Sequence, residues 1–374
     1  MMLDDSATRA GWGARAIPRA AVRGGTPPSF FPSSYTAPVI KYLGSKRLLL
    51  DTIVEAVRGT GTASSVLDLF SGTSRVGHAL KRAGYRVIAN DHNAYAATLA
   101  RCYVAADRED VERDAGRLIA ELNALPGRAG WFTETYCERA RYFQPKNGAR
   151  IEAIRERIGA LSVAPELEAV LLVSLMEAAD RVDSTTGVQM AWLKAWAARA
   201  EKNLELRMPD VLPRAPAGKG EAHELDAREA ARTLEADVAY VDPPYNQHSY
   251  LGNYHVWETL VRWDRPETYG TACKRVDVRE RGSVFNRKTT AKAALEGVLA
   301  AVRARALVVS FSDEGYVARD ELESMLRARG DVTVIERDYK RYVGAQIGIY
   351  SPKGQKVGKV SHLRNTEFLF VVRG

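Results

Sequence analysis

The chain has 374 residues, of which 46% are hydrophobic and 27% are charged. This balance indicates a globular protein with one large domain and room for a smaller unit, and it excludes a largely disordered chain. No apolar run approaches the roughly 20 residues that a membrane span needs, and residues 1–37 lack the apolar core of a signal peptide. We therefore expect a cytoplasmic protein with no membrane partner.

The three cysteines, Cys102, Cys137 and Cys273, lie far apart in the sequence. Their spacing argues against a CxxC metal site and against a dense disulfide framework, so we expect no bound metal. None of them follows a proline, which disfavours the cytosine ring-carbon methyltransferases, whose nucleophile is usually a Pro-Cys thiolate.

The net charge is +8, which suits a polyanionic partner. Two segments concentrate the basic residues. Lys274–Lys292 holds seven Lys/Arg against two acids, and Arg337–Arg364 is rich in Lys and Arg with Asp338 as its only acid. One interpretation is a pair of solvated loops, and the other is a set of contacts to nucleic-acid phosphates.

The first regular pattern follows residue 65. Val66–Phe70 is an apolar run ended by Ser71-Gly72, and it predicts a buried strand. A helix over 73–83, a strand over 86–90 and a helix over 93–105 are predicted next. This β-α-β-α order is typical of a doubly wound parallel sheet.

Residues 110–208 have an almost continuous helical pattern with breaks at Pro126-Gly127, at residues 145–148 and at residues 184–187, and this block interrupts the βα order. The order returns with strands predicted over 238–241 and 306–311. Two closing strands are expected over 332–337 and 368–372, with an antiparallel arrangement as one option. The predicted domains are a flexible tail (1–36), a catalytic domain (37–108 and 221–374) and a helical insertion (109–220).

Asp242-Pro243-Pro244-Tyr245 directly follows a predicted apolar strand. Ligands of open parallel sheets bind beyond the carboxyl ends of the strands. A Pro-Pro pair fixes its own backbone and lacks N–H donors, so its carbonyls can face a ligand. With the Asp242 carboxylate as a second acceptor and Tyr245 as a stacking surface, the tetrapeptide suits an amino group on a planar base. A simple strand-ending turn is the alternative.

Asp68–Gly77 covers the first predicted strand-to-helix turn. Gly72 permits a close backbone approach or a positive φ, and the helix that follows offers free N–H groups at its N-terminus. Neither G-x-G-x-x-G nor G-x-x-x-x-G-K-[ST] occurs, so dinucleotide and P-loop phosphate sites are disfavoured. A small-molecule carboxylate fits this turn better, and a plain tight turn is the alternative.

Two further acids end predicted strands. Asp91 follows Gly72 by about 20 residues, at a place where an acid commonly binds ribose hydroxyls, and a helix N-cap is its alternative role. Asp226 could contact the adenine of a cofactor or cap the next helix. The basic turn Lys41–Lys46 comes before the first strand and carries little weight alone.

In this order the motifs resemble the Dam-like family of amino-directed DNA adenine methyltransferases, from about Ile40 to Val372. The resemblance implies an α/β fold: the Rossmann-like sheet of S-adenosylmethionine-dependent methyltransferases with a largely helical inserted domain as target-recognition region. It implies S-adenosylmethionine as cofactor and methylation of the adenine amino nitrogen in a specific sequence of double-stranded DNA. A cognate restriction endonuclease of a restriction-modification system is a further expected partner.

The resemblance also implies roles for single residues. The glycine turn departs from the usual family pattern at Ser71, where Ala or Gly is more common. The implied catalytic residues are Asp242, Pro243, Pro244 and Tyr245. The implied cofactor-binding residues are Tyr42, Lys46, Asp68, Phe70, Ser71, Gly72, Asp91, Asp226 and Asp242. The basic segments supply the expected DNA contacts, which are Lys274, Arg275, Arg279, Arg281, Arg287, Lys288, Lys340 and Arg341.

Three other functions remain open at this point. Transfer to the cytosine amino group uses the same nitrogen chemistry, although a serine more often replaces the acid there. An NPPY-type enzyme acting on RNA or on a protein glutamine amide is disfavoured by Asp242 in place of Asn and by the helical insertion. A catalytically silent DNA-binding module is disfavoured by the intact Asp242–Tyr245 motif.

Overall fold

The structure is a computed structural model that describes residues 40–44, 46–340, 349–350, 356–358 and 364–374. The predicted tail of residues 1–36 and the predicted DNA contact Arg341 lie outside the described residues, and so does the side chain of Lys340. Within the described ranges, no helix combines the length and the apolar character that crossing a bilayer requires.

The strands form one sheet of seven and two short pairs. In chain order they are β1 (Ser65–Asp68), β2 (Arg86–Asn90), β3 (Glu221–His223), β4 (Val238–Val241), β5 (Thr268–Tyr269), β6 (Lys274–Arg275), β7 (Ala306–Ser312), β8 (Asp331–Lys340), β9 (Ile349–Tyr350), β10 (Lys356–Gly358) and β11 (Arg364–Arg373).

The large sheet has the order β3-β2-β1-β4-β7-β11-β8. Strands β3, β2, β1, β4 and β7 are parallel neighbours, whereas β11 runs antiparallel to both β7 and β8. The predicted doubly wound sheet is therefore confirmed, and the closing strands take the antiparallel arrangement.

The helices alternate with these strands and also fill the long segment between β2 and β3. They are α1 (Leu50–Arg58), α2 (Arg75–Arg82), α3 (Ala94–Ala100), α4 (Arg108–Ala124), α5 (Trp131–Thr133), α6 (Pro145–Gly159), α7 (Pro165–Arg181), α8 (Ala227–Thr233), α9 (Tyr250–Asn253), α10 (His255–Arg262), α11 (Ala291–Ala301) and α12 (Arg319–Arg327). A π-helical turn continues α3 over Arg101–Ala105, and a second one continues α5 over Glu134–Arg139.

Side chains of a strand alternate between its two faces, and helices cover both faces of this sheet. Leu67, Ala239 and Val309 pack in one apolar cluster with residues of α8, α11 and α12. Helices α1 and α2 contact the strands from outside this cluster. Parallel strands that are buried on both faces explain the nearly continuous apolar runs of β1, β4 and β7.

The helical segment builds a second apolar cluster, in which α4, α6 and α7 pack together with α3 and α10. Pro145, which we expected to interrupt a helix, instead begins α6, where its missing N–H costs nothing. Residues 264–288, called the basic loop because they contain most of the basic segment Lys274–Lys292, hold the short β5–β6 pair and two 3₁₀ turns.

The prediction of a helix is wrong beyond Arg181, where α7 ends. The sole helical element in residues 182–208 is a 3₁₀ turn at Ala198–Glu201. Thr185 and Trp192 form an antiparallel bridge around Gly187, whose φ is 100°. Gln189 fixes this hairpin, because its backbone N–H donates to the Asn253 carbonyl at 2.7 Å and its side-chain oxygen accepts from the Val256 N–H at 2.8 Å. Long-range hydrogen bonds therefore outweigh the local helical pattern.

Gly77 supplies the close contact between α2 and the sheet. A Cβ at this position would lie 2.8 Å from Val104 Cγ2 and 3.2 Å from Asp68 Oδ2. We predict that Gly77→Ala lowers the free energy of unfolding by about 1–3 kcal/mol, because a packed contact must move apart. Urea denaturation of the purified variants measures this change.

Gly116→Ala is the matched control. Gly116 lies inside α4, and a Cβ there meets nothing within 4 Å. Alanine should stabilise this helix by about 0.5–1 kcal/mol. If both variants change stability in the same direction, the close-packing role of Gly77 is wrong.

Candidate active site

The chain passes from β1 to β2 on one side of the sheet, while β4 adds on the other side of β1. Such a reversal of strand order opens a crevice beyond the carboxyl ends of the two central strands. A cavity of about 320 Å³ lies there, a volume typical of a small-molecule site. The residues that line it include the segments 68–73 and 90–93 together with Tyr42, Lys46, Arg75, Asp226, Tyr240, Asp242, Pro244, Ser249, Tyr250 and the segment 281–286.

Asp68 ends β1 and is 1% exposed. Its Oδ2 accepts a 3.1 Å hydrogen bond from the Gly77 N–H, whereas its Oδ1 is buried with no hydrogen-bond partner among the described residues. Burial and the nearby Asp242 carboxylate raise the pKa of Asp68 to about 8, and the Gly77 N–H only partly opposes this rise. Near neutral pH this carboxyl is therefore mostly protonated.

Asp91 holds the glycine turn in place. Its Oδ2 accepts the Gly72 N–H at 3.0 Å, and its Oδ1 accepts both the backbone and the side-chain N–H groups of Asn93. Gly72 has a φ of 51°, and Ser74 shares this left-handed conformation with a φ of 57°. The turn therefore ties the carboxyl ends of β1 and β2 together, and Asp91 both lines the cavity and organises its wall.

Lys46 and Asp242 form the centre of the site. Lys46 Nζ lies 3.2 Å from Asp242 Oδ1 and 3.0 Å from Glu367 Oε2, and Lys46 is 7% exposed. Burial disfavours the ammonium, but the carboxylates of Asp242 and Glu367 outweigh it and raise the pKa of Lys46 well above its usual value. Burial also raises the pKa of Asp242, and Lys46 opposes that rise.

Tyr245 lies beside the main cavity rather than in its lining. Its ring packs edge-on against Phe311 with centroids 5.7 Å apart, and Lys46 Nζ lies 5.6 Å from its centroid. Pro244 lines the main cavity, whereas Pro243 joins Pro244 and Tyr245 around a smaller neighbouring void. The four residues of the motif thus face two adjoining spaces.

Tyr42 packs over the glycine turn. Its ring stacks between Tyr250 and Tyr254, with centroids 5.1 Å and 4.6 Å away. The Tyr254 hydroxyl also accepts the Leu43 N–H at 2.6 Å. A Cβ at Gly72 would lie 3.5 Å from the Tyr42 hydroxyl oxygen, an ordinary contact, so glycine is favoured there by its φ of 51° rather than by the ring.

The end of the basic loop forms another wall of the cavity. Phe285 meets Phe70 edge-on with centroids 5.2 Å apart, and the Asn286 side chain donates to the carbonyls of Asn246 and His248. Arg281 lines the cavity and pairs with the fully buried Glu258 at 2.9 Å. This segment therefore connects the cavity with the chain that follows the Asp-Pro-Pro-Tyr motif.

The environment of Arg275 contradicts its predicted role as a DNA contact. Its side chain is 3% exposed, and its guanidinium is bound by Asp264 at 2.7 Å and Asp277 at 2.9 Å. A buried guanidinium that is paired in this way is not free to bind a phosphate, and it holds the loop against α10 instead. By contrast, Arg279, Arg287 and Lys288 are exposed, and Lys274 is half-buried beside Met190.

Asp226 takes one of the two roles that the sequence left open, the capping of a helix, and it also lines the cavity. Its Oδ1 accepts the Arg228 N–H at 2.9 Å and so caps α8, and the same residue lines the cavity. The Arg228 guanidinium pairs with this carboxylate. The cap and the cavity wall are thus one side chain.

Several polar atoms on the cavity wall are buried and have no hydrogen-bond partner among the described residues. They include Asp68 Oδ1, Ser71 Oγ, Arg75 Nε and Asn93 Oδ1. Because such an atom costs about 1–3 kcal/mol when it stays unpaired, this wall fits a ligand that carries both donors and acceptors. Among the described residues, no group of His, Cys, Asp and Glu has a metal-binding arrangement.

Sequence reasoning missed Arg75, Glu367, Tyr250 and the segment 282–286. Arg75 opens α2 immediately after the glycine turn, a position that the predicted strand-to-helix pattern could have identified. Glu367 had no such signal, because its position depends on how β11 inserts between β7 and β8.

The chain also matches a known protein family. Residues 42–325 match the family described as D12 class N6 adenine-specific DNA methyltransferase, and this match covers more than half of the chain.

Curated relatives agree with the family match. The chain is 30% identical to the type II methyltransferase M.FokI of Planomicrobium okeanokoites, over 81% of this chain and 50% of that protein, so it spans about half the length of that relative. It is 27% identical to the type II methyltransferase M.NlaIII of Neisseria lactamica, over 89% of this chain and 98% of that protein. It is 29% identical to the type II methyltransferase M.CviAII of Paramecium bursaria Chlorella virus 1, over 81% of this chain and 92% of that protein.

The raised pKa of Asp68 predicts a pH-dependent stability. Between about pH 4 and pH 8 the folded chain retains a proton at Asp68 that the unfolded chain has lost, so stability falls as the pH rises through this window. The slope from this one group is at most about 1.4 kcal/mol per pH unit. Asp68→Asn should remove that component, as measured by urea denaturation at a series of pH values.

Asp51→Asn is the matched control, since Asp51 is an exposed carboxyl on α1. It should leave the pH dependence of the free energy of unfolding as it is in the unsubstituted protein. A pH dependence in Asp68→Asn that equals that of the control would contradict the buried, protonated carboxyl.

Proposed function

The chain belongs to the D12 class N6 adenine-specific DNA methyltransferase family, and we propose that it transfers a methyl group from S-adenosylmethionine to the amino nitrogen of adenine in a specific sequence of double-stranded DNA. One observation carries this proposal: Asp242 and Pro244, after β4, line the same cavity as the Gly72 turn, after β1. A target amino group and a methyl donor can therefore meet at one sheet edge.

The cavity wall fits the groups of S-adenosylmethionine. We assign Arg75 to its carboxylate, Asp68 to its ammonium, and Asp91 and Asp226 to its nucleoside part. A bound ammonium would oppose the raised pKa of Asp68 and favour its carboxylate, and the unpaired Asp68 Oδ1 and Arg75 Nε would then be complementary in charge to an amino acid. When bound, the cofactor supplies a methyl group on a positively charged sulfur, and the surrounding carboxylates favour that charge.

Asp242 and Pro243 hold the target amino group. The Asp242 carboxylate and the Pro243 carbonyl accept its two N–H donors, and this polarisation makes the nitrogen lone pair available for attack on the methyl carbon. The proton that the nitrogen then loses would pass to the Asp242 carboxylate and from there to solvent. Tyr245 is proposed as the aromatic ring on which the base stacks; the void beside it, of about 10 Å³, must widen when the base enters. Since the base must leave the duplex to reach these groups, base flipping belongs to the proposal.

Basic side chains of two segments would bind the DNA backbone. We propose Lys274, Arg279, Arg281, Arg287 and Lys288 as phosphate contacts, together with Lys340 and Arg341. Arg281 would act there only by leaving its pairs with Glu258 and Asp277. The helical insertion, residues 109–220, is proposed as the target-recognition region and residues 37–108 and 221–374 as the catalytic domain.

The relatives also suggest a biological setting. One of them, from Lactococcus lactis subsp. lactis, is named modification methylase LlaI, and its identity to this chain is 28%. By analogy we propose that the protein modifies DNA within a restriction-modification system and that a cognate restriction endonuclease is its partner.

Expression in a host that lacks DNA methylation tests the proposed function. Sequencing should show methylated adenine at one recurring sequence of the host genome, and mass spectrometry of the nucleosides should identify N6-methyladenine. Methylation only of the cytosine amino group, or of no DNA base, would refute the proposal.

Asp242→Ala should lower kcat for methyl transfer by at least roughly a hundredfold, because the acceptor for the target amino group is lost. Calorimetry should still detect cofactor binding, since the glycine turn and Arg75 remain intact. Asp320→Ala, which removes an exposed carboxyl on α12, is the control and should keep full activity. Full activity in Asp242→Ala would overturn the assignment.

Arg287→Ala/Lys288→Ala should weaken DNA binding and reduce its salt dependence. Removing two phosphate contacts should lower the slope of log Kobs against log salt concentration by about 1.8, as measured by fluorescence anisotropy with duplex DNA.

Arg303→Ala/Arg305→Ala removes the same charge just before β7, at the opposite edge of the sheet, and is the matched control. Its salt slope should equal that of the unsubstituted protein. Equal slopes for both double variants would remove Arg287 and Lys288 from the DNA interface.

A further inference from the structure

Lys46 occupies the position that the target amino group needs. Its ammonium lies 3.2 Å from Asp242 Oδ1 and 5.6 Å from the Tyr245 ring centroid. In the proposed reaction the adenine amino group donates to this same carboxylate while the base stacks near this same ring. The ammonium and the target amino group therefore compete for Asp242.

Glu367 is a second carboxylate for the same ammonium, with its Oε2 3.0 Å from Lys46 Nζ. A buried ammonium that loses its last counter-charge carries a large desolvation cost. When a base takes Asp242, an ammonium that still holds Glu367 remains paired. The displacement of Lys46 from Asp242 then costs little free energy, because the ion pair with Glu367 is retained.

From this geometry we infer that Glu367 is a positioning residue, which draws the Lys46 ammonium away from Asp242 so that the target amino group can take its place. This inference rests on the proposed function, since it assigns Asp242 to the amino group. Glu367 itself touches neither substrate nor cofactor in this role; it acts through Lys46.

The sheet topology explains why a residue so late in the chain reaches this place. β11 runs antiparallel to β7, and Glu367 pairs with Ser312 at the carboxyl end of β7. The first residues of β11 therefore lie at the same sheet edge as the ends of β1 and β4. The Thr366 N–H, which donates to Asp313 Oδ2 at 3.1 Å, and the Asp313 N–H, which donates to the Thr366 carbonyl, fix this end of the strand.

The sharpest test uses base extrusion, which requires no methyl transfer. The probe is a duplex that carries the sequence mapped in the methylation-free host, with 2-aminopurine next to the target adenine, so that its fluorescence rises when the target base leaves the stack. Four proteins are compared: the unsubstituted chain, Glu367→Gln, Lys46→Met and the double variant Lys46→Met/Glu367→Gln.

Glu367→Gln should lower the extrusion equilibrium roughly tenfold, because the ammonium then pairs with Asp242 alone. Lys46→Met should raise it, because the competitor for Asp242 is gone. In the Lys46→Met background, Glu367→Gln should have no further effect, whereas a merely structural Glu367 would lower extrusion equally in both backgrounds. Glu367→Asp, which keeps the charge, should recover part of the loss.

Steady-state kinetics give an independent measurement. Glu367→Gln should lower kcat/KM for DNA roughly tenfold while calorimetric affinity for S-adenosylmethionine stays the same. Glu336→Gln is the matched control, because Glu336 lies on the neighbouring strand β8 and pairs with Arg319. It should behave as the unsubstituted protein does.

The two possible failures are distinguishable. If the unsubstituted protein methylates no adenine, the proposed function fails, and the role of Glu367 fails with it. If it methylates adenine but Glu367→Gln matches Glu336→Gln, or lowers extrusion equally with and without Lys46, only the role of Glu367 is overturned.

Discussion

The gathering of carboxylates at one edge of the sheet is the constraint on which the site depends. Parallel strands bring Asp68, Asp91 and Asp242 to their common carboxyl edge, and the antiparallel β11 adds Glu367. Burial raises the pKa of all four. They are tolerated because backbone N–H groups bind Asp68 and Asp91, and because Lys46 bridges Asp242 and Glu367.

Local sequence was sufficient for the parts of the fold whose determinants are local. The sequence predicts β1, β2 and β4 because each is a short apolar run followed by polar or turn-forming residues. It predicts the glycine turn after β1 for the same reason. The same pattern placed Asp91 and Asp242 directly after predicted strands, whereas Asp68, predicted in the middle of a strand over 66–70, is the last residue of β1 in the structure. The reversal of strand order between β1 and β4 then brought Asp68 and Asp242 to one cavity.

Features that depend on distant partners could not be predicted in this way. The hairpin around Gly187 is held by bonds from Gln189 to residues near α10, and no local pattern encodes them. Arg275 looked like its basic neighbours, and only the fold shows that Asp264 and Asp277 consume its charge. Charge can be counted from a sequence, whereas its pairing depends on the three-dimensional arrangement.

The short segment 41–46 joins the helical region to the reaction site. At one end, Lys41 Nζ pairs with Asp180 in α7 and with Asp183, at 3.2 Å and 3.1 Å. At the other end, Lys46 pairs with Asp242 and Glu367, and between them Tyr42 stacks on Tyr250 and Tyr254. Because both ends are fixed by ion pairs, a displacement of the α7 end relative to the sheet must strain this segment or break one of its pairs. The weaker link is Lys41, whose side chain is 37% exposed against 7% for Lys46, since solvent screens its pairs more strongly. The ion pairs of Lys46 are therefore less screened by solvent than those of Lys41, and they hold the segment more firmly at its end beside Asp242.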